Sequence, residues 1–369
     1  MEPPPLRAPP DELVEEILLR SPPDDPASLV RAALVCKRWC RLVSAHPFRL
    51  RFRGLHRRPA PMLGFLCNDV FHAGGDEACS ARFVRTAASC PPLASRRGWH
   101  ALDARAGRVL LHRAAAAQAI CLAVWDPLAA GDSRHLDLPA PALPRRPRSW
   151  NAALLCDDDP DGGPFRIVLV GTDSQGTFAC VYSSPEPAAW SEPAYAPQHP
   201  KDHVDAVRGA LVGDTIYFVC QRRTRVLRYD LATRAMSVVH LPPASHNQRI
   251  VLTTAEGGGL GFARMDGYWL GLWSMDVGGG GGAVEWTQDR VIDLRTLLPV
   301  IDLLGFAHGL GIVLVGTVDG FFSVDQKSGS INKVGDGPGF YNVVPFVSFY
   351  TPALGTASTT DEEGSSSNA

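Results

Sequence analysis

Cys36 and Cys40 stand four residues apart with His46 shortly after them, the grouping in the chain that comes nearest to metal-ligand spacing. Thiolate and imidazole ligands one helical turn apart would suit zinc, which needs four of them. No second cysteine pair follows at that spacing, and Trp39 between the two is a packing residue, so no metal is expected. Gly171-Thr172-Asp173-Ser174-Gln175-Gly176 approaches the turn that carries a nucleophilic serine, but its first glycine is one place too far from Ser174, and a plain turn is expected. The glycine runs at Gly257 and Gly278 lack the spacing, and the following helix, that cradle a phosphate. The acidic run Asp157-Asp158-Asp159-Pro160-Asp161-Gly162 lacks the ligand alternation of a calcium loop. None of His46, His100, His203, His240 and His308 has a chain neighbour that would make it a base. Local sequence therefore gives no catalytic residue and no cofactor. Because catalytic groups can converge from distant positions, an enzyme stays open as a reading.

The residues that do form a pattern are apolar and N-terminal. Leu13, Val14, Ile17 and Leu18 recur as one face of a helix, with Glu12, Glu15 and Glu16 on the other side, early enough to complement the helix dipole. Ser21-Pro22-Pro23 stops that helix, and Asp25-Pro26 starts a second, an acidic N-cap before proline at the first helical position. The second helix carries Leu29, Val30, Ala33 and Leu34, and a third carries Val35, Trp39, Leu42 and Val43. Three short helices bury little by themselves, so part of this surface faces either a partner or the body of the protein as a cap. Periodicity leaves both open. Nine Lys or Arg and no Asp or Glu lie between Arg31 and Arg58, several of them between apolar helical positions. This reads as a solvated face, and no nucleic-acid partner is expected.

A chain of 369 residues with net charge −2 has no global attraction for nucleic acid or acidic lipid. Its nine cysteines are scattered through apolar runs such as Ile120-Cys121-Leu122, the habit of buried thiols in a reducing compartment. The opening Met1-Glu2-Pro3-Pro4-Pro5 is not that of a signal peptide, and no apolar run approaches the ~18 residues of a membrane span. The expected location is the cytoplasm or nucleus, with no membrane partner.

From Met62 onward the period becomes extended, with short runs such as Ile167-Val168-Leu169-Val170 and Ile216-Tyr217-Phe218-Val219 punctuated by glycine and proline. Trp125, Tyr182, Tyr229, Trp273 and Phe322 end strands before polar turns and recur about every 50 residues, the length of a four-stranded propeller blade. Each of four of them follows a glycine-led strand, at Gly107, Gly213, Gly258 and Gly309. Five such units plus an irregular segment from Met62 to Pro91 predict an all-β propeller of six blades, with seven possible. Asn342 to Tyr350 is expected to pair with the early strands and close the ring. The expected organisation is a disordered start (1–8), a helical module (9–58), a propeller (59–355) and a disordered acidic tail (356–369). Gly278 to Gly282 is expected to be a flexible hairpin tip, and Thr359 and Thr360 stand before acids in a context open to phosphorylation.

The stretch Pro10-Asp11-Glu12-Leu13, Ile17-Leu18, Ser28-Leu29 and above all Leu34-Val35-Cys36-Lys37-Arg38-Trp39 with Leu42 resembles the F-box, with Ala8-Pro9-Pro10 where that family usually has leucine before the proline. Later segments, Val181-Tyr182-Ser183-Ser184, Tyr229-Asp230-Leu231 and Ser348-Phe349-Tyr350-Thr351-Pro352 among them, resemble the kelch-like β-propeller region of plant F-box proteins. The resemblance implies a substrate receptor of a cullin-type ubiquitin ligase. Pro10, Leu13, Ile17, Leu18, Leu29, Val35, Cys36 and Trp39 would face the small adaptor of that ligase or shape the facing surface. Propeller loops would hold a target protein, with those around Asp157, Pro185 to Pro200, Ser245 to Arg249 and Asp336 to Phe340 as candidates. Two readings compete with it, a propeller enzyme acting on a glycan and a scaffold that binds the adaptor without degradation.

Overall fold

A computed structural model describes residues 9–56, 59–70, 79–90, 92–113, 119–128, 135–156, 163–184, 188–196, 203–277, 284–297, 299–337 and 342–352. The expected disordered ends, the tip at Gly278 to Gly282 and the acidic run from Asp157 lie outside these residues. Four helices open the chain, α1 (Asp11–Leu18), α2 (Pro26–Val35), α3 (Lys37–Ser44) and α4 (His46–Leu55). Periodicity predicts three. Cys36 is the reason α2 and α3 are separate, since its backbone is extended and its Sγ accepts the Trp39 N–H at 3.5 Å, capping α3. The missed helix, α4, carries Pro47 in its first turn, where the absent N–H costs nothing. Asp25 does precede α2, but its carboxylate accepts from Ser28 Oγ (2.6 Å) and Arg31 (3.0 Å) and makes no capping bond to backbone.

Six sheets follow. The first takes β1 (Met62–Val70), β2 (Cys79–Arg85) and β3 (Arg96–Arg97), and the second β4 (Trp99–Arg105), β5 (Arg108–Arg113), β6 (Leu122–Trp125) and β7 (His135–Asp137). In the third, β8 (Ser149–Cys156), β9 (Phe165–Thr172) and β10 (Thr177–Ser184) are completed by β11 (Ala189–Trp190) and β12 (Ala194–Tyr195), which share the outer position. The fourth holds β13 (Ala210–Val212), β14 (Thr215–Val219), β15 (Arg225–Asp230) and β16 (Met236–His240). The fifth holds β17 (Ile250–Thr254), β18 (Leu260–Asp266), β19 (Trp269–Val277) and β20 (Val284–Asp293), and the sixth β21 (Val300–Ala307), β22 (Ile312–Thr317), β23 (Gly320–Asp325) and β24 (Ile331–Gly335). The last strand, β25 (Asn342–Val347), pairs antiparallel with β1, Leu66 opposite Val344, and becomes the inner strand of the first blade. The segment from Met62 to Pro91 thus supplies most of the sixth blade-sized unit, and the ring closes as expected.

The five spaced aromatics all sit on the third strand of their blades, opposite an aliphatic or aromatic residue of the second. Trp125 faces Val109, Tyr182 faces Ile167, Tyr229 faces Ile216, Trp273 faces Phe262 and Phe322 faces Val315. Each packs against the preceding blade, as Trp125 does on Leu63, Leu66 and Ala81. Only Trp125 ends its strand; Trp273 and Phe322 lie inside theirs. The repeat therefore marks an interblade contact and not a strand end. In the first blade the pair is inverted, with Phe65 on the second strand and Val84 on the third.

The glycine repeat has its own cause. Gly107, Gly213, Gly258 and Gly309 have positive φ in the hairpins that join first to second strands. At Gly107 a Cβ would also stand 2.8 Å from Ser348 Oγ, so the closing strand and this turn fit only without a side chain there.

Inner strands of neighbouring blades share no ladder, and polar side chains clip them together. Asp103 on β4 is buried and accepts from Ala104 N (2.9 Å), Leu154 N on β8 (2.9 Å) and Arg208 Nε (2.6 Å). Arg208 also donates to the carbonyls of Ala104 (2.8 Å) and Phe306 (3.2 Å), reaching β21. Asn151 Nδ2 donates to the carbonyls of Asp205 (2.9 Å) and Val207 (2.7 Å), and Arg249 Nε to that of Leu303 (3.1 Å). Removing the acid alone strands a buried cation, which typically costs about 3–5 kcal/mol. Asp103→Ala should lower the denaturant midpoint by an amount of that order, and adding Arg208→Met should restore most of it; equal loss in both variants would mean the pair is not what holds these strands.

Candidate docking surface

The helical module divides its apolar residues between two uses. Val14, Leu18, Leu19, Leu29, Ala32, Val43, Phe48 and Phe52 form its core, with Trp39 and Leu42 partly buried against them. Leu13 (57% exposed), Ile17 (65%), Leu34 (80%) and Val35 (63%) stay in solvent. On α1 the four apolar positions are two adjacent stripes, Val14 and Leu18 inward and Leu13 and Ile17 outward. Pro10 and Cys36 are also exposed. Leu18 and Leu29, of the residues expected to face or shape the docking surface, lie in the module core at 7% and 1% exposure, beneath the helices that carry the exposed side chains. Leu34, absent from the expected site residues, is the most exposed apolar side chain of the group. On α2, where Pro26, Leu29 and Ala32 point inward, a residue five places beyond Leu29 falls off the buried face, and a helix ending at Val35 would have revealed it.

Ion pairs fix this surface. Arg38 at the start of α3 meets Asp11 at 2.5 Å and donates to the Pro9 carbonyl, holding the α2–α3 junction against the start of α1. Arg51 of α4 meets Glu15 at 2.6 Å and also pairs with Glu16, and these helices' charges answer one another. Several members of the basic stretch thus have acidic partners from within the module. Exposed pairs of this kind contribute little to stability, and their effect here is orientation.

The module meets the propeller through Phe52 and Phe349, whose rings lie edge to face at 6.2 Å. It sits where inner strands end: Arg105, Ala307 and Val347, the last residues of β4, β21 and β25, face α4 across one cavity. Ser245 to Arg249 leads into inner strand β17, so that candidate loop belongs to the opposite face. Asp336 follows β24 and precedes β25, and belongs there too.

The other sequence candidates resolve into structure. Asp173 forms a turn, its Oδ1 accepting from Gln175 N (2.7 Å) and Gly176 N (3.1 Å) and its Oδ2 from the Tyr195 hydroxyl (2.7 Å). Those hydrogen bonds outweigh burial and lower its pKa. His308 is held neutral by burial and by the charges of Arg208 and Arg105, and meets Thr254 Oγ1 at 3.1 Å. His112, not singled out by sequence, is pushed down to about 4 by burial and then by His100, and its ring stands against Trp150. Among the described residues no three metal-ligating side chains come together. No helix of the described residues is long and apolar enough to cross a membrane.

A helical docking module with exposed leucines, set on one face of a six-bladed ring, is the architecture of an F-box protein with a propeller, and residues 10–51 match the F-box domain. Residues 100–305 match the family described as F-box protein AT5G49610-like, beta-propeller, and the chain belongs to that family. No curated protein matches it. Among solved structures it is similar to a Bacteroides uniformis protein provisionally described as a 6-phosphogluconolactonase, at 12% identity and TM-score 0.43, covering 75% of this chain and 83% of that one. A Lactobacillus plantarum protein gives 11% identity and TM-score 0.42 over 74% and 82% of the two chains. A prolyl endopeptidase gives 15% identity and TM-score 0.37 over 71% of this chain and 38% of its own.

The division of the module is open to test. Leu29→Ala should cost about 2–5 kcal/mol and expose the helices to protease, as large-to-small core changes do. Leu34→Ala should change stability by less than about 0.5 kcal/mol. Limited proteolysis with thermal melting distinguishes them, and equal sensitivity of the two variants would contradict the assignment of Leu34 to the surface.

Proposed function

We propose that this chain is a substrate receptor of a cullin-type ubiquitin ligase. The F-box binds the small adaptor of the ligase, and the propeller presents a target protein. The supporting observation is the apolar surface of Leu13, Ile17, Leu34 and Val35, which the propeller does not cover. Exposed apolar side chains of this kind, on helices joined by the Arg38–Asp11 and Arg51–Glu15 pairs, are suited to a partner helix whose apolar side chains pack on them. The target-binding face in this reading is the one opposite the module, where the loops at Ser245 to Arg249 and at Asp336 lie, since the module and its adaptor occupy the other. No bond is made or broken on the chain; tethering raises the local concentration of target lysines near a ubiquitin-charged enzyme. The free thiols among the described residues accord with a reducing compartment, the cytoplasm or nucleus.

Interface energy concentrates in a few apolar anchors, each worth about 2 kcal/mol or more. Leu13→Glu with Leu34→Glu should weaken adaptor binding by on the order of 100-fold or more, with the melting temperature unchanged. Titration of adaptor into the full chain reads this directly, and retained affinity would refute the docking surface. Turnover of a bound partner, compared with and without residues 1–58, separates a degradative receptor from a scaffold.

A further inference from the structure

Between α4 and the propeller, at the mouth of the central channel, lies a cavity of about 620 Å³. Arg105 and Arg208 line it from the ring, His308 from the turn after β21, and Arg53 from α4. Among the described residues no carboxylate lines it. Asp103 lies behind this wall, and its Oδ1 accepts from Arg208 Nε while its Oδ2 accepts from Leu154 N and stands 4.0 Å from Arg105. Among the described residues one carboxylate therefore answers two guanidinium groups. Arg105 Nε is buried with no hydrogen-bond partner among the described residues. A buried cation with an unfilled donor is costly, and such a group normally meets water or an anion.

Burial lowers the Arg105 pKa most, Asp103 opposes this and Arg208 adds to it, so a second negative charge would stabilise both cations. The remaining wall carries His56 and Ser348 and is otherwise apolar, with Leu50, Val347 and Phe349. Arg105 reaches the rim through a strained turn in which Ala106 (φ +49°) precedes Gly107, a conformation a non-glycine residue rarely adopts. A cavity of this volume, mostly apolar with a few convergent charges, has the make-up of a small-molecule site.

We propose that the cavity binds a small organic anion, a carboxylate or phosphate ester on an apolar body, held by Arg105 from the ring and Arg53 from α4. Forked guanidinium groups suit either headgroup, and the apolar wall receives the body. Seated there, the ligand touches the F-box and the propeller together and fixes one against the other. This site does not depend on what the F-box docks to.

The test is calorimetric titration of the full chain with 2-naphthoate and with 2-naphthyl phosphate, alongside 2-naphthol and inorganic phosphate. One of the two aromatic anions should bind one to one, at least ten-fold tighter than 2-naphthol and than inorganic phosphate, and which one binds identifies the headgroup. Arg105→Met and Arg53→Ala should each weaken it at least ten-fold, while Leu55→Ala, on the same helix but outside the cavity, should not. Arg53→Ala alone keeps the test valid if Arg105→Met fails to fold. Absence of binding, equal binding of 2-naphthol, equal binding of inorganic phosphate, or unchanged affinity in both arginine variants would overturn the proposal. The acidic run is the internal rival, because Cys156, just before it, donates through Sγ to the Arg105 carbonyl at 3.2 Å. If only a chain carrying Asp157→Asn, Asp158→Asn, Asp159→Asn and Asp161→Asn binds the anions, the protein's own carboxylates answer Arg105 and the proposal fails.

Discussion

Pairing of β25 with β1 is the constraint from which the rest of the structure follows. It converts six separate sheets into a closed ring, joining the two ends of the propeller sequence by backbone hydrogen bonds in place of two exposed strand edges. It sets Ser348 against the Gly107 turn and Phe349 against Phe52, and so fixes where the helical module rests. With the module placed on the face where inner strands end, the other face of the ring is left open. Because α4 lies over the channel mouth, the end of β4 and the segment before β13 line a partly open cavity between helix and ring.

Within the ring, hydrophobic and polar contacts have separate tasks. The outer two thirds of each blade are joined to the next by apolar packing, one third-strand residue leaning on the preceding blade in every case. Near the axis the inner strands share no ladder, and Asp103, Arg208, Asn151 and Arg249 connect them through carbonyls and amides. Such contacts are directional, so they set the register between blades that packing alone would leave loose.

How much of this was legible in the sequence depended on whether one residue type carried the signal. The propeller was readable because an aromatic recurs at the third strand and a glycine at the first hairpin. The first blade was read as irregular because Phe65 and Val84 exchange places there, leaving the geometry intact and the aromatic period broken. The helical module was readable as amphipathic but not as divided. Periodicity groups Leu13, Val14, Ile17 and Leu18 on one face, whereas burial splits them into neighbouring stripes, a distinction of 100° that only the packing of α3 and α4 decides. The fourth helix was hidden by a proline that stands in its first turn and looks like a break. The cavity left no trace in sequence, since Arg53, Arg105 and Arg208 are far apart in the chain and converge only after the ring has closed.

In the proposed function the module's outward leucines complete themselves against another protein while its inward ones hold the fold. Amide hydrogen exchange of the full chain with and without the ligase adaptor tests this most directly. Protection should rise at the end of α2, the start of α3 and along α1, and stay unchanged in the loops of the open face. An adaptor that leaves these helices exchanging as before, or that protects the open face of the ring instead, would contradict it.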